Sequence, residues 1–488
     1  MADDSDYYAI LGVSHDATET AIRDAFASLL SQFTQEGEGE PADPAYEQIL
    51  HAYNVLSDSE RRVTYDSLMA ETAVSVLTVN VQSSRDEIQL SKAVQLIYLL
   101  IEIIPPDIRS KSQRPLNLSL IIDRSTSMKG ERLNHVKSAI ELLVSKLTPD
   151  DILSVVSFSD RAEIVVPSEP VNNKQILMSK VRSIFASGGT EIYQGLAAGM
   201  QQIRQASLAQ YTNRLILLTD GHTYGDADQC LQLAREAARQ NVDFSAFGIG
   251  SEWNDEFLDG LVAPSGGQSQ YIETPAQIID YLRQQIKGLG NIYARDLRLS
   301  LDFPRNIAPK FSFKLTPFAQ PLAINNNEIK LGNIESRHSL SFLLELGIEP
   351  QTNATRITIP LNFTVNLPQQ AESSFKHTYK ITILEHASQV DPPPDIKKAV
   401  RLLNMYRMNE KVVDDVEAGH LEAATRRMRH LTTRLLEAGQ TRLAQQAHAE
   451  GERLATMGTL SLEGRKKLKY GTRALLSQTI ATMDLNSE

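Results

Sequence analysis

The sequence predicts a multidomain α/β chain in which a doubly wound parallel-sheet domain, residues 115–290, is inserted into a β-sandwich and flanked by helical segments at both ends. Three observations carry this. Residues 116–290 alternate short apolar runs with helical patterns of about 12–16 residues, which is how a parallel sheet with crossover helices is written. Strand-rich stretches lie on both sides of that block, at 72–112 and 293–386. Helical spacing governs residues 5–70 and 395–480.

Composition sets the limits. A chain of 488 residues implies several domains at about 100–200 residues each. Hydrophobic residues at 42% and charged residues at 22% exclude a disordered or fibrous chain. Cys230 is the only cysteine, so an internal disulfide and a thiolate zinc site are both excluded and a reducing cytoplasm is expected. Met1 to Tyr8 is acidic and lacks the basic patch and apolar run of an export signal. The most apolar stretch, Val94 to Ile104, is too short to cross a bilayer, contains Glu102 and meets Pro105-Pro106, so it is read as a buried strand and no membrane span is expected. The net charge of −11 is uneven: residues 1–70 hold 14 Asp or Glu against 3 Arg, whereas residues 396–476 hold 16 Lys or Arg against 9 Asp or Glu. The two ends either attract each other or are independently solvated faces.

In the first segment, Ile22, Ala25, Phe26, Leu29 and Leu30 mark one helix, and Ile49, Ala52, Tyr53 and Leu56 another. A polar stretch from Glu36 to Pro44 separates them. The opening Asp6-Tyr7-Tyr8-Ala9-Ile10-Leu11-Gly12-Val13, the later Ala52-Tyr53-Asn54-Val55-Leu56-Ser57-Asp58 and Arg61 to Asp66 together resemble a J-domain over residues 6–68. The His-Pro-Asp tripeptide through which that family stimulates its chaperone ATPase should follow Phe33. This chain has Thr34-Gln35-Glu36 there. The helix before the loop offers Arg23 beside Glu19 and Asp24, an acidic face where the family presents a basic one. The resemblance therefore implies a degenerate J-like fold without co-chaperone activity.

The second segment reads as strands at Val74, Val76, Val79 and Val81, then Leu96 to Ile103. So few strands are marginal alone. Matching runs lie downstream at Leu297-Leu299-Leu301, Leu340 to Leu344 and Ile357 to Val365, so one sandwich built from both flanks leaves the fewest unpaired edges. After the stiff linker Asp391-Pro392-Pro393-Pro394, helical spacing at Val400, Leu403, Met408 and Val412, at Leu431, Leu435 and Leu436, and at Leu443, Ala447 and Leu454 predicts a helical hairpin or bundle.

Within the central block the candidate strands are Leu116 to Ile122, Ile152 to Phe158, Glu163 to Val166, Arg214 to Thr219 and Phe244 to Ile249. Candidate helices are Glu131 to Leu147, Lys174 to Phe185, Glu191 to Ile203, Ala227 to Arg239 and Pro275 to Gly288. Trp253 and Phe257 read as packing residues of a further helix. Ligands of such sheets collect beyond the carboxyl ends of the strands. Three oxygen-rich loops fall there: Asp123-Arg124-Ser125-Thr126-Ser127, Ser187-Gly188-Gly189-Thr190, and Thr219-Asp220-Gly221. Alone, Asp-x-Ser-x-Ser suits a turn or a helix cap equally well. Three such loops at strand ends argue instead for a shared ligand.

This constellation resembles the metal-ion-dependent adhesion site (MIDAS) of von Willebrand factor A (VWA) domains, whose pattern is Asp-x-Ser-x-Ser, then a distant Thr, then a distant Asp. Gly248-Ile249-Gly250 and Gly266-Gly267 extend the likeness along the domain. The resemblance implies a single Mg²⁺, with Mn²⁺ or Ca²⁺ as alternatives, bound by oxygens. Ser125 and Ser127 would bind through hydroxyls, Thr190 directly or through water, and Asp123 and Asp220 directly or by holding waters. One position stays open for an Asp or Glu of a protein partner, with Gly188, Gly189 and His222 on the contact rim. Asp160 and Asp226 are read as solvated rim carboxylates. His222 stands alone and cannot define a zinc site.

No nucleophile with a base, phosphate loop or dinucleotide fingerprint is visible, which points away from an enzyme. The basic tail lacks the aromatic interleaving of a nucleic-acid binder. A cation-dependent protein–protein interaction or scaffold role is therefore expected. A co-chaperone or adaptor working with a chaperone or AAA+ ATPase is the alternative.

Overall fold

The computed structural model describes residues 7–13, 17–35, 44–59, 61–62, 64–65, 77–106, 114–222, 225–274, 277–279, 281–282, 292–336, 338–367, 372–387 and 390–484. The chain divides into two compact units, Met1–Thr78 and Val79–Glu488. In the first, α1 (Tyr7–Leu11), α2 (Glu19–Gln35) and α3 (Pro44–Leu56) enclose Tyr8, Leu11, Ile22, Ile49, Ala52 and Leu56. Phe26 and Tyr53 stack at 3.9 Å between ring centroids and tie α2 to α3. Thr34 and Gln35 end α2, while Glu36, the third residue of the expected tripeptide position, lies outside the described residues.

The second unit begins with β1 (Thr78–Ser83), β2 (Glu87–Gln89) and β3 (Gln95–Ile104). The α/β domain follows as β4 (Leu116–Asp123), α4 (Glu131–Lys146), β5 (Ile152–Phe158), β6 (Ala162–Pro170), α5 (Lys174–Arg182), α6 (Ile192–Ile203), β7 (Thr212–Thr219), α7 (Ala227–Arg239), β8 (Val242–Ile249), α8 (Asp255–Val262) and β9 (Gln268–Ile272). The strands order as β6-β5-β4-β7-β8-β9. From β5 to β9 all pairings are parallel. The sheet is the expected doubly wound parallel one, with a single antiparallel addition: the edge strand β6 runs antiparallel to β5.

Both faces of this sheet are covered, as double winding requires. Leu118, Leu120 and Ile122 of β4 pack with Leu133, Val136, Ile140 and Leu143 of α4 on one side. Ile121 packs with Phe158, Leu196, Met200 and Ala234 under α6 and α7 on the other. Helix α6 lies unusually close: a Cβ at Gly195 would fall 2.6 Å from the Phe158 ring, and one at Gly199 2.6 Å from Ile121 Cδ1. Those two glycines let the N-terminus of α6 reach the ends of β4 and β5. Trp253 and Phe257 are buried in the same cluster against α8, as expected. Of the expected helix at Pro275 to Gly288, residues 277–279 and 281–282 are helical and the others lie outside the described residues.

Downstream come β10 (Ile292–Ser300), β11 (Ile307–Thr316), β12 (Gln320–Pro321), β13 (Ile324–Asn325), β14 (Glu328–Glu335), β15 (Leu340–Ile348), β16 (Thr355–Asn366) and β17 (Glu372–Leu384). They join the strands that precede the α/β domain in two further sheets, β1-β3-β15-β11-β12 and β13-β14-β10-β16-β17-β2. β3 pairs with β15 along its whole length, from Gln95 opposite Ile348 to Ile103 opposite Leu340. Val74 and Val76 lie outside the described residues.

The chain closes with α9 (Pro394–Glu417), α10 (Leu421–Glu437), α11 (Thr441–Met457) and α12 (Leu462–Asp484). Leu403, Tyr406, Met428, Leu431, Leu435, Ala447 and Leu454 form their core and continue into Leu100, Phe313 and Leu343 of the first sheet. Leu436, expected on the apolar face, is exposed instead. Helix α12 also docks on the α/β domain. Lys469, almost fully buried, pairs with Asp255 and, at 3.0 Å, with Asp259, while Arg473 pairs with Asp259 at 2.6 Å. Part of the basic tail thus neutralises acids of the α/β domain, an arrangement different from the two that the sequence suggests.

Candidate metal centre

The site forms where the strand order reverses direction. β4 connects to β5 on one side and its other neighbour, β7, arrives much later in the chain, so the two outgoing loops diverge and leave a crevice at their carboxyl ends. Asp123 is the last residue of β4 and Asp220 immediately follows β7, which places both carboxylates at the floor of that crevice.

Short-range bonds fix the first loop. The backbone N–H of Ser125 donates to Asp123 Oδ1 at 2.8 Å, and the Thr219 hydroxyl donates to Asp123 Oδ2 at 2.6 Å. Residues Thr126–Met128 then form one 3₁₀ turn that brings Ser127 back over the crevice. Ser125 Oγ and Ser127 Oγ lie 3.0 Å apart, and Ser127 Oγ donates to Asp220 Oδ1 at 2.7 Å. Asp123, Ser125, Ser127 and Asp220 therefore form one continuous cluster. Thr190 stands against it: a Cβ on Gly221 would fall 3.1 Å from its Oγ1.

The middle loop is stitched to the first. Thr126 donates through both N–H and hydroxyl to the Gly188 carbonyl, at 3.1 and 3.0 Å, and Ser187 N–H donates to Arg124 O at 2.7 Å. Asp160 is exposed but has a structural task, accepting the Gly189 N–H at 2.8 Å. Side chains at Gly188 or Gly189 would run into that carboxylate, at 2.5 and 2.8 Å respectively. Gly188, Gly189 and His222 are all exposed on the rim. Asp226 corrects the sequence reading: it is buried, and its Oδ2 accepts the Tyr193 N–H at 2.8 Å in the first turn of α6. It braces the helix that follows Thr190 and is not a solvated rim group.

The electrostatics single out Asp123. Burial pushes its carboxyl up to about 6, against the hydrogen bonds from Ser125 and Thr219, and nearby Asp220 adds to the rise. No described Lys, Arg or His pairs with it. Asp220, whose side chain is also fully buried, pairs with Arg132 from the first turn of α4. The one guanidinium at the site thus matches Asp220 and leaves the Asp123 charge unmatched, where burial of unpaired charge is costly. Beside it stand the hydroxyl and carboxylate oxygens of Ser125, Ser127, Thr219 and Asp220, the donor chemistry a hard divalent cation takes. Among the described residues no three His, Cys, Asp or Glu side chains converge on a metal position, so the set relies on Ser and Thr. Arg132 escaped the sequence reading, because it reaches the site on a long side chain from a helix; Thr219 belongs to the third loop of that reading, and the structure adds its hydrogen bond to Asp123.

Three comparisons bear on this arrangement. Residues 117–283 match the von Willebrand factor type A domain, residues 6–66 the DnaJ domain, and residues 394–478 the Sll0103-like, C-terminal alpha-helical domain. Among curated relatives, the chain is 27% identical over 324 residues to the protein sll0103 of Synechocystis sp., covering 64% of this chain and 76% of that one. It is 25% identical to YfbK of Escherichia coli and 30% identical to inter-alpha-trypsin inhibitor heavy chain H1 of Sus scrofa, matching 53% and 38% of this chain. The match spans only 46% and 22% of those two relatives' own lengths. In structure it is similar to a von Willebrand factor type A protein from Catenulispora acidiphila, with a TM-score of 0.65, 15% identity and coverage of 82% of this chain and 96% of that one. The ArnB paralog VWA2 of Sulfolobus acidocaldarius gives a TM-score of 0.54 at 16% identity, covering 82% and 99%. The central domain has the von Willebrand factor A-like α/β fold, accompanied by N-terminal and C-terminal helical regions.

Proposed function

We propose that this chain is a non-enzymatic protein–protein interaction or scaffold protein whose central domain holds one divalent cation and captures an acidic residue of a partner. Asp123, Ser125, Ser127, Thr190 and Asp220 would hold the ion, Mg²⁺ in preference to Mn²⁺ or Ca²⁺. When bound, the ion supplies an electron-poor centre with room for one more oxygen, and the Asp or Glu of a partner protein fills it. The observation that carries this reading is the buried, unpaired Asp123 carboxylate beside Ser125 and Asp220 at the switch point of the sheet. Gly188, Gly189 and His222, exposed around it, are the contact rim. The lone buried Cys230 fits a cytoplasmic setting. Among the described residues no helix is long and apolar enough to cross a membrane.

The test is capture of partners from native cells by the full chain and by Asp123→Ala, each in Mg²⁺ and in chelator. Capture that needs both Mg²⁺ and Asp123 supports the proposal. Partners retained equally in chelator would refute it.

A second reading, an adaptor working with a chaperone or AAA+ ATPase, is favoured by the DnaJ-domain match over residues 6–66. Thr34-Gln35-Glu36 in place of His-Pro-Asp argues that the J-like unit docks without stimulating ATP hydrolysis. A robust rise in chaperone ATPase rate on adding the purified chain would reverse that argument.

A further inference from the structure

Arg132 reaches the site from helix α4, outside the three loops. Its Nη1 donates to Asp220 Oδ2, and lies 3.3 Å from the Ser127 carbonyl. The other oxygen of Asp220 already accepts the Ser127 hydroxyl. Any divalent ion that draws on Asp220, directly or through water, approaches a carboxylate whose two oxygens are engaged and whose charge is matched. It also meets a positive group at short range, where like charges repel strongly because the carboxylate side is closed to solvent. The Arg132 side chain is 36% exposed, so it has a path outward.

The opposite flank of the guanidinium lies on Gly250, where a Cβ would stand 3.2 Å from Nη2 and 3.5 Å from Cζ. Gly250 has φ +73° and opens the loop after β8, so a side chain there is disfavoured on both counts. That loop is gripped from the other side by α12. Lys466 Nζ donates to the carbonyls of Ser251 and, at 2.6 Å, of Trp253, and sits 4.7 Å from the Trp253 ring centroid. Trp253 Nε1 donates back to Gly250 O at 2.6 Å. One turn further along α12, Lys469 enters the buried ion cluster with Asp255 and Asp259. A run of neighbouring groups therefore leads from Asp220 through Arg132, past Gly250, and along the 250–253 loop to the C-terminal helix.

We propose that Arg132 is a tethered cation that competes with the divalent ion for Asp220 and, by shifting against Gly250, couples occupancy of the site to the seating of α12. The inference rests on the metal-site reading above and assigns its regulation. Coupling of this kind is reciprocal, so whatever loosens α12 alters cation affinity in turn.

Mg²⁺ binding to the full-length chain by isothermal titration calorimetry tests the competition. Arg132→Met keeps the packing on Gly250 but removes the charge, and should bind Mg²⁺ about tenfold more tightly than wild type. Arg132→Lys keeps the charge and should stay within about threefold of wild type. Hydrogen exchange tests the coupling: added Mg²⁺ should change amide protection at residues 250–254 and 462–473 in wild type, with the change lost in Arg132→Met. Equal or weaker Mg²⁺ binding by Arg132→Met, or exchange changes that persist in that variant, overturn the proposal alone. No Mg²⁺ binding by wild type overturns the metal-site reading and this proposal together.

Discussion

Replacing Asp123 by Asn should stabilise the chain in chelator and destabilise it, relative to wild type, in Mg²⁺. The magnitude follows from the carboxyl's displacement from 3.8 to about 6, with burial as the main cause. At neutral pH that corresponds to about 3 kcal/mol carried by the ionised native state. The native chain holds the Asp123 proton up to about pH 6, while the unfolded chain loses it near pH 4. Stability in chelator therefore falls as pH rises across that window, and the full cost is present above it. Asn keeps the shape and can still accept the Ser125 N–H, but it turns an N–H₂ toward Thr219, which must rotate its hydroxyl. A net gain of about 2 kcal/mol should survive, or roughly 5 °C for a domain of this size. Saturating Mg²⁺ at about a hundredfold over its Kd adds about 2.7 kcal/mol to wild type and nothing to the variant, so the order reverses. The assay is thermal unfolding at about pH 7.5 with and without Mg²⁺, followed through Trp253, the only tryptophan and a buried one. If Asp123→Asn melts below wild type in chelator, the Asp123 charge is compensated inside the protein and the argument for a cation fails.

Two further outcomes are expected. Gly267→Ala places a Cβ 1.8 Å from the Phe244 carbonyl oxygen, where only backbone can yield, and should cost about 4 kcal/mol; a melting temperature within about 2 °C of wild type would refute this. Burial lowers Lys314 to about 8 while its Nζ donates to Leu331 O at 2.8 Å. Between about pH 8 and 10.5 the unfolded chain holds a proton that the native chain has lost, so wild-type stability rises with pH relative to Lys314→Met, by up to about 1.4 kcal/mol per pH unit. Urea midpoints at about pH 8, 9 and 10 check this, and parallel curves for the two proteins would contradict it.

The parts that were legible in the sequence share a physical cause. β4, β5, β7 and β8 are almost wholly buried on both faces and so appear as mainly apolar runs. β9, Gln-Ser-Gln-Tyr-Ile, is an edge strand whose Ser269 finds partners in α12, Arg473 and Tyr470, and nothing local announces it as a strand. The direction of β6 was equally hidden, since alternation is the same either way along a strand. At the site, Asp123, Ser125, Ser127 and Asp220 could be found because the first three share one turn and the last ends an apolar run. Arg132 and the Tyr193-bracing role of Asp226 depend on tertiary reach. Leu436 belongs to the apolar spacing of its helix yet faces outward, a reminder that spacing identifies a face without saying how wide it is.

The pairing of β3 with β15 has a consequence for synthesis. β3 turns Ile97, Leu99, Ile101 and Ile103 toward the core, and its main hydrogen-bonding partner begins only at Leu340. Roughly 240 residues must leave the ribosome in the interval, which takes ~10–50 s at about 5–20 residues per second. The α/β domain can complete its own sheet in that time, because all six of its strands are contiguous in the chain. The nascent polypeptide thus carries a finished domain tethered behind an unsatisfied, sticky segment, and its yield should depend more on how that segment is shielded during elongation than on the final stability of the fold.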